Sequence, residues 1–171
     1  MGKNVWLSLV IPPEYRNILD EINKQIKAIL NERYDMMHHD MYHMTTLFFG
    51  KFRELKKLEQ LMCEYNDSKY ALEFDEILMF PPDKQNLLIV KFKPNIKLRT
   101  DINFMRKIME NNDPVEDFLP HITLGKLRTT KSDKNEFGKI VQNIIDDINK
   151  QNKQNTSYNF VGKGFYLCGD I

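Results

Sequence analysis

The chain is predicted to adopt an α/β (α+β) fold in which two strand–helix–strand units face each other across a cleft. Three observations carry this. The apolar runs VWLSLVI (5–11) and LLIVKF (87–92) each read as a strand, each is soon followed by proline, and each leads into an amphipathic helix. After each helix comes a strand with the same triplet, His43-Met44-Thr45 in one case and His121-Ile122-Thr123 in the other. Finally, 171 residues with 42% apolar and 29% charged side chains suffice for a core without staples. Residues 1–171 are therefore expected to form a single domain of two pseudo-symmetric lobes. A pseudo-twofold axis between them would bring the two His-Thr faces together.

Each element has a local reason. Val5 to Ile11 is apolar on both faces, as a central strand is, and Pro12-Pro13 ends it. Pro13 can open the next helix, where its missing N–H costs nothing. From Glu14 to Glu32 the residues Ile18, Ile22, Ile26, Ile29 and Leu30 recur at helical spacing. Tyr34 to Asp40 reads as an irregular connection, Met41 to Phe49 as the first His strand closed by Gly50, and Arg53 to Asn66 as a helix. Tyr70 to Met79 reads as one strand and Pro81-Pro82-Asp83 as a turn. Pro94 follows the strand Leu87–Phe92, and Leu98 to Met109 forms a helix. A loop over 111–117 leads to the second His strand, Leu119 to Lys126, which Pro120 enters. A helix from Glu136 to Asn149, a polar loop over 151–157 and a last strand or hairpin from Tyr158 to Cys168 complete the chain, with Gly162 and Gly164 permitting a bulge.

Composition narrows the function. A net charge of +1 provides no overall basic field for long nucleic acid, while leaving a local pocket for a small anion open. Cys63 and Cys168 form no CxxC pair and no metal spacing, so both are expected reduced, in a cytoplasmic protein. The sequence opens with no signal peptide and contains no apolar run near ~18 residues, so no membrane association is expected. Lysine outnumbers arginine, and Asn and Ile are abundant, which suggests an AT-rich coding sequence.

The repeated triplet carries the chemistry. Side chains alternate along a strand, so His43 shares a face with Thr45 and His121 with Thr123. The same rule sends Met44, Thr46 and Phe48 to the opposite face, together with Ile122 and Leu124. Two imidazoles can divide proton transfer, one accepting and one donating. In-line attack on phosphorus needs such a pair on opposite sides of one phosphate. The hydroxyls of Thr45 and Thr123 can then donate to its non-bridging oxygens. This scheme requires neither metal nor cofactor. Which histidine is acid and which is base is not legible in the sequence.

The doubled H-x-T motif resembles the two-histidine (2H) phosphoesterase superfamily, and most closely its RNA 2′,3′-cyclic phosphodiesterase / 2′-5′ RNA ligase-like branch. VWLSLVIPPEYRNIL, HMTTLFFG, FDEILMFPPDKQNLLIVKF and LPHITLGK carry the likeness and cover most of the chain. One departure is Thr46, where a hydrophobic residue is usual. The resemblance implies a bilobal duplication with two antiparallel sheets around a central cleft and helices outside. It implies catalytic His43 and His121, phosphate-binding Thr45 and Thr123, and a basic residue at Lys126. The implied activity is metal-independent hydrolysis of a cyclic nucleotide or short oligonucleotide phosphodiester, with a 2′,3′-cyclic or 2′-5′ linkage. The implied partner is a nucleotide, cyclic nucleotide or short RNA, bound by a monomer. A viral-type enzyme degrading 2′-5′ oligoadenylate or cyclic GMP–AMP immune signals is the alternative, compatible with the lysine-heavy composition. A non-catalytic RNA-binding module is a second alternative.

Other residues are weighed against plainer roles. Trp6 lies with Ser8 on one face of the first strand; it either fills the core, which is favoured, or stacks on a base. Strand parity turns Lys126 away from His121 and Thr123 unless the strand ends or bulges at Gly125. Tyr166 or Phe165 is expected to offer a ring for base stacking. His38, His39 and His43 suggest a metal site only superficially, since adjacent histidines on a loop diverge. The segment 126–139 reads as a solvated lysine-rich loop.

Overall fold

Each of the two apolar runs becomes an inner strand of an antiparallel sheet, because both of its edges are claimed by neighbours. The computed structural model describes residues 3–111, 118–130, 132–152 and 156–169. In chain order the elements are β1 (Lys3–Leu9), α1 (Pro13–Leu30), β2 (Tyr34–Met36), β3 (Met44–Phe52), α2 (Leu55–Cys63), β4 (Lys69–Leu72), β5 (Phe74–Phe80), β6 (Leu87–Phe92), α3 (Ile96–Ile108), β7 (His121–Leu127), α4 (Lys134–Asn152), β8 (Phe160–Lys163) and β9 (Phe165–Gly169). The sheets run β3-β1-β9, β2-β7-β6-β5 and β4-β8. The α+β class and the paired strand–helix–strand units, β1–α1–β3 and β6–α3–β7, are as expected, and in each unit the His strand lies antiparallel to the first.

The third, two-stranded sheet is a departure. The single strand predicted over Tyr70–Met79 divides at Glu73: β4 pairs with β8, while β5 pairs with β6. The last segment is likewise no hairpin, since β8 pairs with β4 and β9 with β1. Gly164, at φ +75°, redirects the chain between them. The supposedly irregular segment 34–40 contains β2, an edge strand paired with β7. Gly125 permits that pairing, because a Cβ there would lie 2.6 Å from the Asp35 carbonyl oxygen and 2.6 Å from the Tyr34 ring. Residues 112–117 of the predicted loop lie outside the described residues.

The helices form much as their periodicity predicts. Pro13 stands in the first turn of α1, and the Asn95 side chain accepts a hydrogen bond from the Leu98 N–H (2.9 Å) to open α3. The buried face of α1, however, is Tyr15, Leu19, Ile22, Asn23, Ile26 and Leu30, while Ile29 is 57% exposed. The face is rotated relative to the apolar pattern because a polar residue, Asn23, is held inside. Val5, Leu7, Leu9, Val90, Ile122 and Leu124 join the apolar side of α1 in one core. Among the described residues no helix is long and apolar enough to cross a membrane.

The two units share a finer feature. Leu7 pairs with Leu47 and Ser8 with Thr45, leaving Thr46 as an extra residue in β3. Leu88 pairs with Gly125 and Ile89 with Thr123, leaving Leu124 as an extra residue in β7. Each His strand thus carries a β-bulge on the residue immediately after its motif threonine, and β3 has a further shift at Phe49.

Candidate active site

His43 precedes β3 and His121 opens β7, each at the point where an incoming segment joins its sheet. Both rings are held in the same way. Nδ1 of His43 is 2.9 Å from the carbonyl oxygen of Met41, and Nδ1 of His121 is 2.8 Å from that of Leu119. A carbonyl only accepts, so in each neutral ring Nδ1 carries the proton and Nε2 is the basic nitrogen. An aromatic ring flanks each imidazole: Trp6 beside His43 at a centroid separation of 6.1 Å, and Phe80 beside His121 at 5.3 Å. The two imidazoles are near enough to interact electrostatically. The His121 pKa is depressed below the ordinary imidazole value, chiefly by burial and further by charge on His43, while the Leu119 carbonyl opposes the shift.

Thr45 and Thr123 are half-buried on the faces that carry the histidines. Across the first sheet Thr45 lies opposite Ser8, and Ser8 opposite Tyr166. Tyr166 is therefore the ring on this face, while Phe165 is buried in the core. Burial raises the Tyr166 pKa, opposed by the Arg16 guanidinium, which reaches the phenol from the first turn of α1. Trp6, half-buried, shares this face and lies opposite Cys168 and Phe48, so the core placement favoured for it gives way to a place beside His43. Lys91 stands opposite His121, with its ammonium drawn to Asp75 at 3.0 Å.

The bulges reverse the parity of the residues that follow them, in β3 as far as a second shift that leaves Phe49 unpaired. Phe48, expected on the back of its strand, lies opposite Trp6 and is 47% exposed. Lys126, five residues after His121 as Phe48 is after His43, is exposed, while Leu124, Gly125 and Leu127 are buried. The condition set for Lys126, a bulge next to Gly125, is met, and its side chain leaves the sheet on the side of His121 and Thr123. A cavity of about 430 Å³ adjoins Lys126, and one of about 380 Å³ adjoins Phe48.

A buried polar hub ties the two motifs together. Asn23 Nδ2 donates to the Tyr42 hydroxyl (2.7 Å) and to the carbonyl of the bulged Leu124 (3.0 Å), and its Oδ1 accepts from Tyr34. Tyr42 in turn donates to Asp20 (2.8 Å), which His39 also meets through Nδ1. His38 is largely exposed beside Asp40. His38, His39 and His43 thus face different partners, and among the described residues no three His, Cys, Asp or Glu side chains are grouped to hold a metal.

Phe48, Phe80, Lys91, Arg16 and Asn23 belong to this site or its support and were not singled out from sequence. For Phe48 the signal is masked by the bulge. For Lys91 a signal existed: it is the one charged residue in LLIVKF, opposite His121.

No protein-family model and no curated protein matches the chain by sequence. Its fold does match solved structures. E. coli LigT in apo form superposes with a TM-score of 0.62 at 16% identity, covering 96% of this chain and 86% of that one. TT0787 of Thermus thermophilus gives 0.61 at 14% identity, with the same coverage. Kluyveromyces marxianus Usb1 gives 0.53 at 12% identity over 98% of this chain and 94% of that one. The α+β fold expected from the sequence is therefore shared with these solved structures.

Proposed function

We propose that this chain is a two-histidine phosphoesterase that hydrolyses a phosphodiester in a nucleotide or short oligonucleotide. The observation that carries the reading is the mirrored pair of imidazoles, each presenting Nε2 because its Nδ1 is spent on the carbonyl two residues earlier. The likeness to LigT, which has been crystallised with 3′-AMP, with phosphate and with ATP, supports a nucleotide ligand.

The roles follow from the environments. His121 is held toward its neutral form by burial and by its partner's charge, so it is the base. It takes a proton from water as the oxygen attacks phosphorus. His43 gives its proton to the departing ribose oxygen, the P–O bond breaks, and charge on the phosphoryl oxygens is met by the hydroxyls of Thr45 and Thr123. The pair ends with the proton exchanged, and solvent restores it. Trp6 and Tyr166 offer faces to a base, and exposed Lys126, several strand rises from His121, is left to a more distant part of the substrate.

A panel of 2′,3′-cyclic AMP, 2′-5′ oligoadenylate and cyclic GMP–AMP tests this, with chromatographic product detection. Turnover of at least one substrate, abolished in both His43→Ala and His121→Ala, is the expected result. Turnover of 2′-5′ oligoadenylate or cyclic GMP–AMP alone would select the immune-signal alternative. Binding with no product would favour the non-catalytic module and overturn the enzymatic reading.

A further inference from the structure

Beyond the catalytic centre, β7 leads to a second place suited to an anion. The cavity of about 430 Å³ is lined by Lys84, Asn86, Lys126, Arg128, Thr129 and Lys134, among others. These residues come from three segments: the turn before β6, the end of β7 and the first residue of α4. Leu127 N–H donates to the Asn86 carbonyl (2.8 Å), which fixes the turn against the strand. Arg128 is already matched by Asp35 at 2.7 Å. Lys84, Lys126 and Lys134 are exposed, and among the described residues no carboxylate pairs with them. The N-terminal end of the 19-residue α4 adds its positive dipole end to the same spot. Three unmatched ammonium groups around one concavity repel one another until an anion enters.

The position of this cavity says which anion. Because bulged Leu124 has no partner, His121 and Lys126 stand four strand rises apart along β6, about 13 Å. That exceeds the span of one nucleotide. A cyclic mononucleotide at the histidines would leave the cavity empty, whereas a longer strand would pass Lys126 and enter it. The equivalent position in the other unit is Phe48, whose adjoining cavity is walled by Phe48, Phe49 and Phe52. The two corresponding positions therefore differ, one aromatic and one cationic.

We propose that the Lys84–Lys126–Lys134 cavity is a distal phosphate subsite, and that the substrate is accordingly an oligonucleotide rather than a mononucleotide. The proposal rests on the phosphodiesterase reading for its catalytic consequence, but not for binding. The phosphate is either an internal diester or a terminal monoester, and the experiment separates them.

The test compares the wild-type chain with Lys84→Ala/Lys134→Ala, a change at exposed positions outside the catalytic centre. The substrates are a 2′,3′-cyclic mononucleotide and tetranucleotides carrying the reactive linkage found by the substrate panel, with and without a terminal phosphate. Turnover of the tetranucleotide should fall about tenfold or more, chiefly through KM, with the mononucleotide unchanged. Loss confined to the terminally phosphorylated tetranucleotide assigns a monoester. Equal loss on mononucleotide and tetranucleotide, or no loss on either, overturns the proposal. Binding of a fluorescein-labelled tetranucleotide to His121→Ala, with and without the lysine changes, is measured by anisotropy across salt concentrations. The logarithmic salt slope should become shallower by about 0.7, the value for one phosphate contact on a single strand. An unchanged slope overturns the subsite even if the chain proves inactive, whereas a changed slope with no turnover keeps the subsite and fails only the catalytic reading.

Discussion

Replacing Asn23 by alanine should weaken the whole molecule, and the amount can be worked from its contacts. Asn23 is fully buried on the inner face of α1. Its removal takes the acceptor from the hydroxyl of Tyr34, itself fully buried, and leaves that donor unmatched. Such an orphan costs about 1–3 kcal/mol. The other two partners are partly insured, since Tyr42 keeps Asp20 and the Leu124 carbonyl keeps the Met37 N–H at 2.8 Å. Each of those losses is worth about 0.5–1.5 kcal/mol. The combined effect is about 3 kcal/mol, and a domain of this size loses about 2–4 °C of Tm per kcal/mol. Thermal unfolding followed by circular dichroism should show a fall of roughly 6–12 °C. Turnover should drop as well, because the Leu124 bulge is the hinge on which Thr123 and Lys126 take their places. A fall below about 3 °C, on the same scale, would mean that water replaces the amide and that the hub does not hold the two motifs.

Other changes probe separate parts of the structure. His43→Ala and His121→Ala should each lower kcat by about 10²–10⁴-fold, with far-ultraviolet circular dichroism unchanged; retention of activity in either would remove that histidine from catalysis. Because His121 holds its proton less tightly folded than unfolded, the unfolded chain takes up a proton first as pH falls. Its contribution to stability is therefore complete above about pH 6.5, the ordinary imidazole value, and is lost as pH falls through the lower folded value. Urea titrations across that window should show the loss, and His121→Gln should flatten it. Gly125→Ala should cost about 1–3 kcal/mol by driving a methyl group into Asp35 and Tyr34, whereas Gly138→Ala, in α4 with open space around it, should stabilise by about 0.5–1 kcal/mol; denaturant midpoints decide both. Trp6, the single tryptophan, should report ligand binding at His43 through its fluorescence, a response expected to change in His43→Ala.

What the sequence made legible is local. The two H-x-T triplets, the prolines closing β1 and following β6, and the periodicities of α1, α3 and α4 each depend on neighbours within a few residues. What escaped depends on distant partners. Nothing in Thr45-Thr46-Leu47 or Thr123-Leu124-Gly125 announces an unpaired residue, because a bulge exists only against the register of β1 or β6. The division of 70–79 and of 158–168 between sheets is of the same kind, since an extended run of apolar residues does not state which edge it will join. Asn23 is the opposite case: a polar residue outside the apolar periodicity of α1 is inside because Tyr34, Tyr42 and Leu124 supply partners elsewhere in the chain. Lys126 stands between these cases: strand parity turns it away unless the strand bulges near Gly125, and only the pairing with β6 makes that bulge.

On the proposed reading, the extra residue after each motif threonine separates reaction from recognition along one strand. Positions 43, 45, 121 and 123 occupy the front before the offset, and positions 48 and 126 arrive there after it. Exchanging the side chain at either later position alters what the groove welcomes at that end, aromatic or charged, without disturbing the groups that handle the bond. The scaffold can thus be retuned to new ligands one residue at a time, while its reactive centre stays as it is.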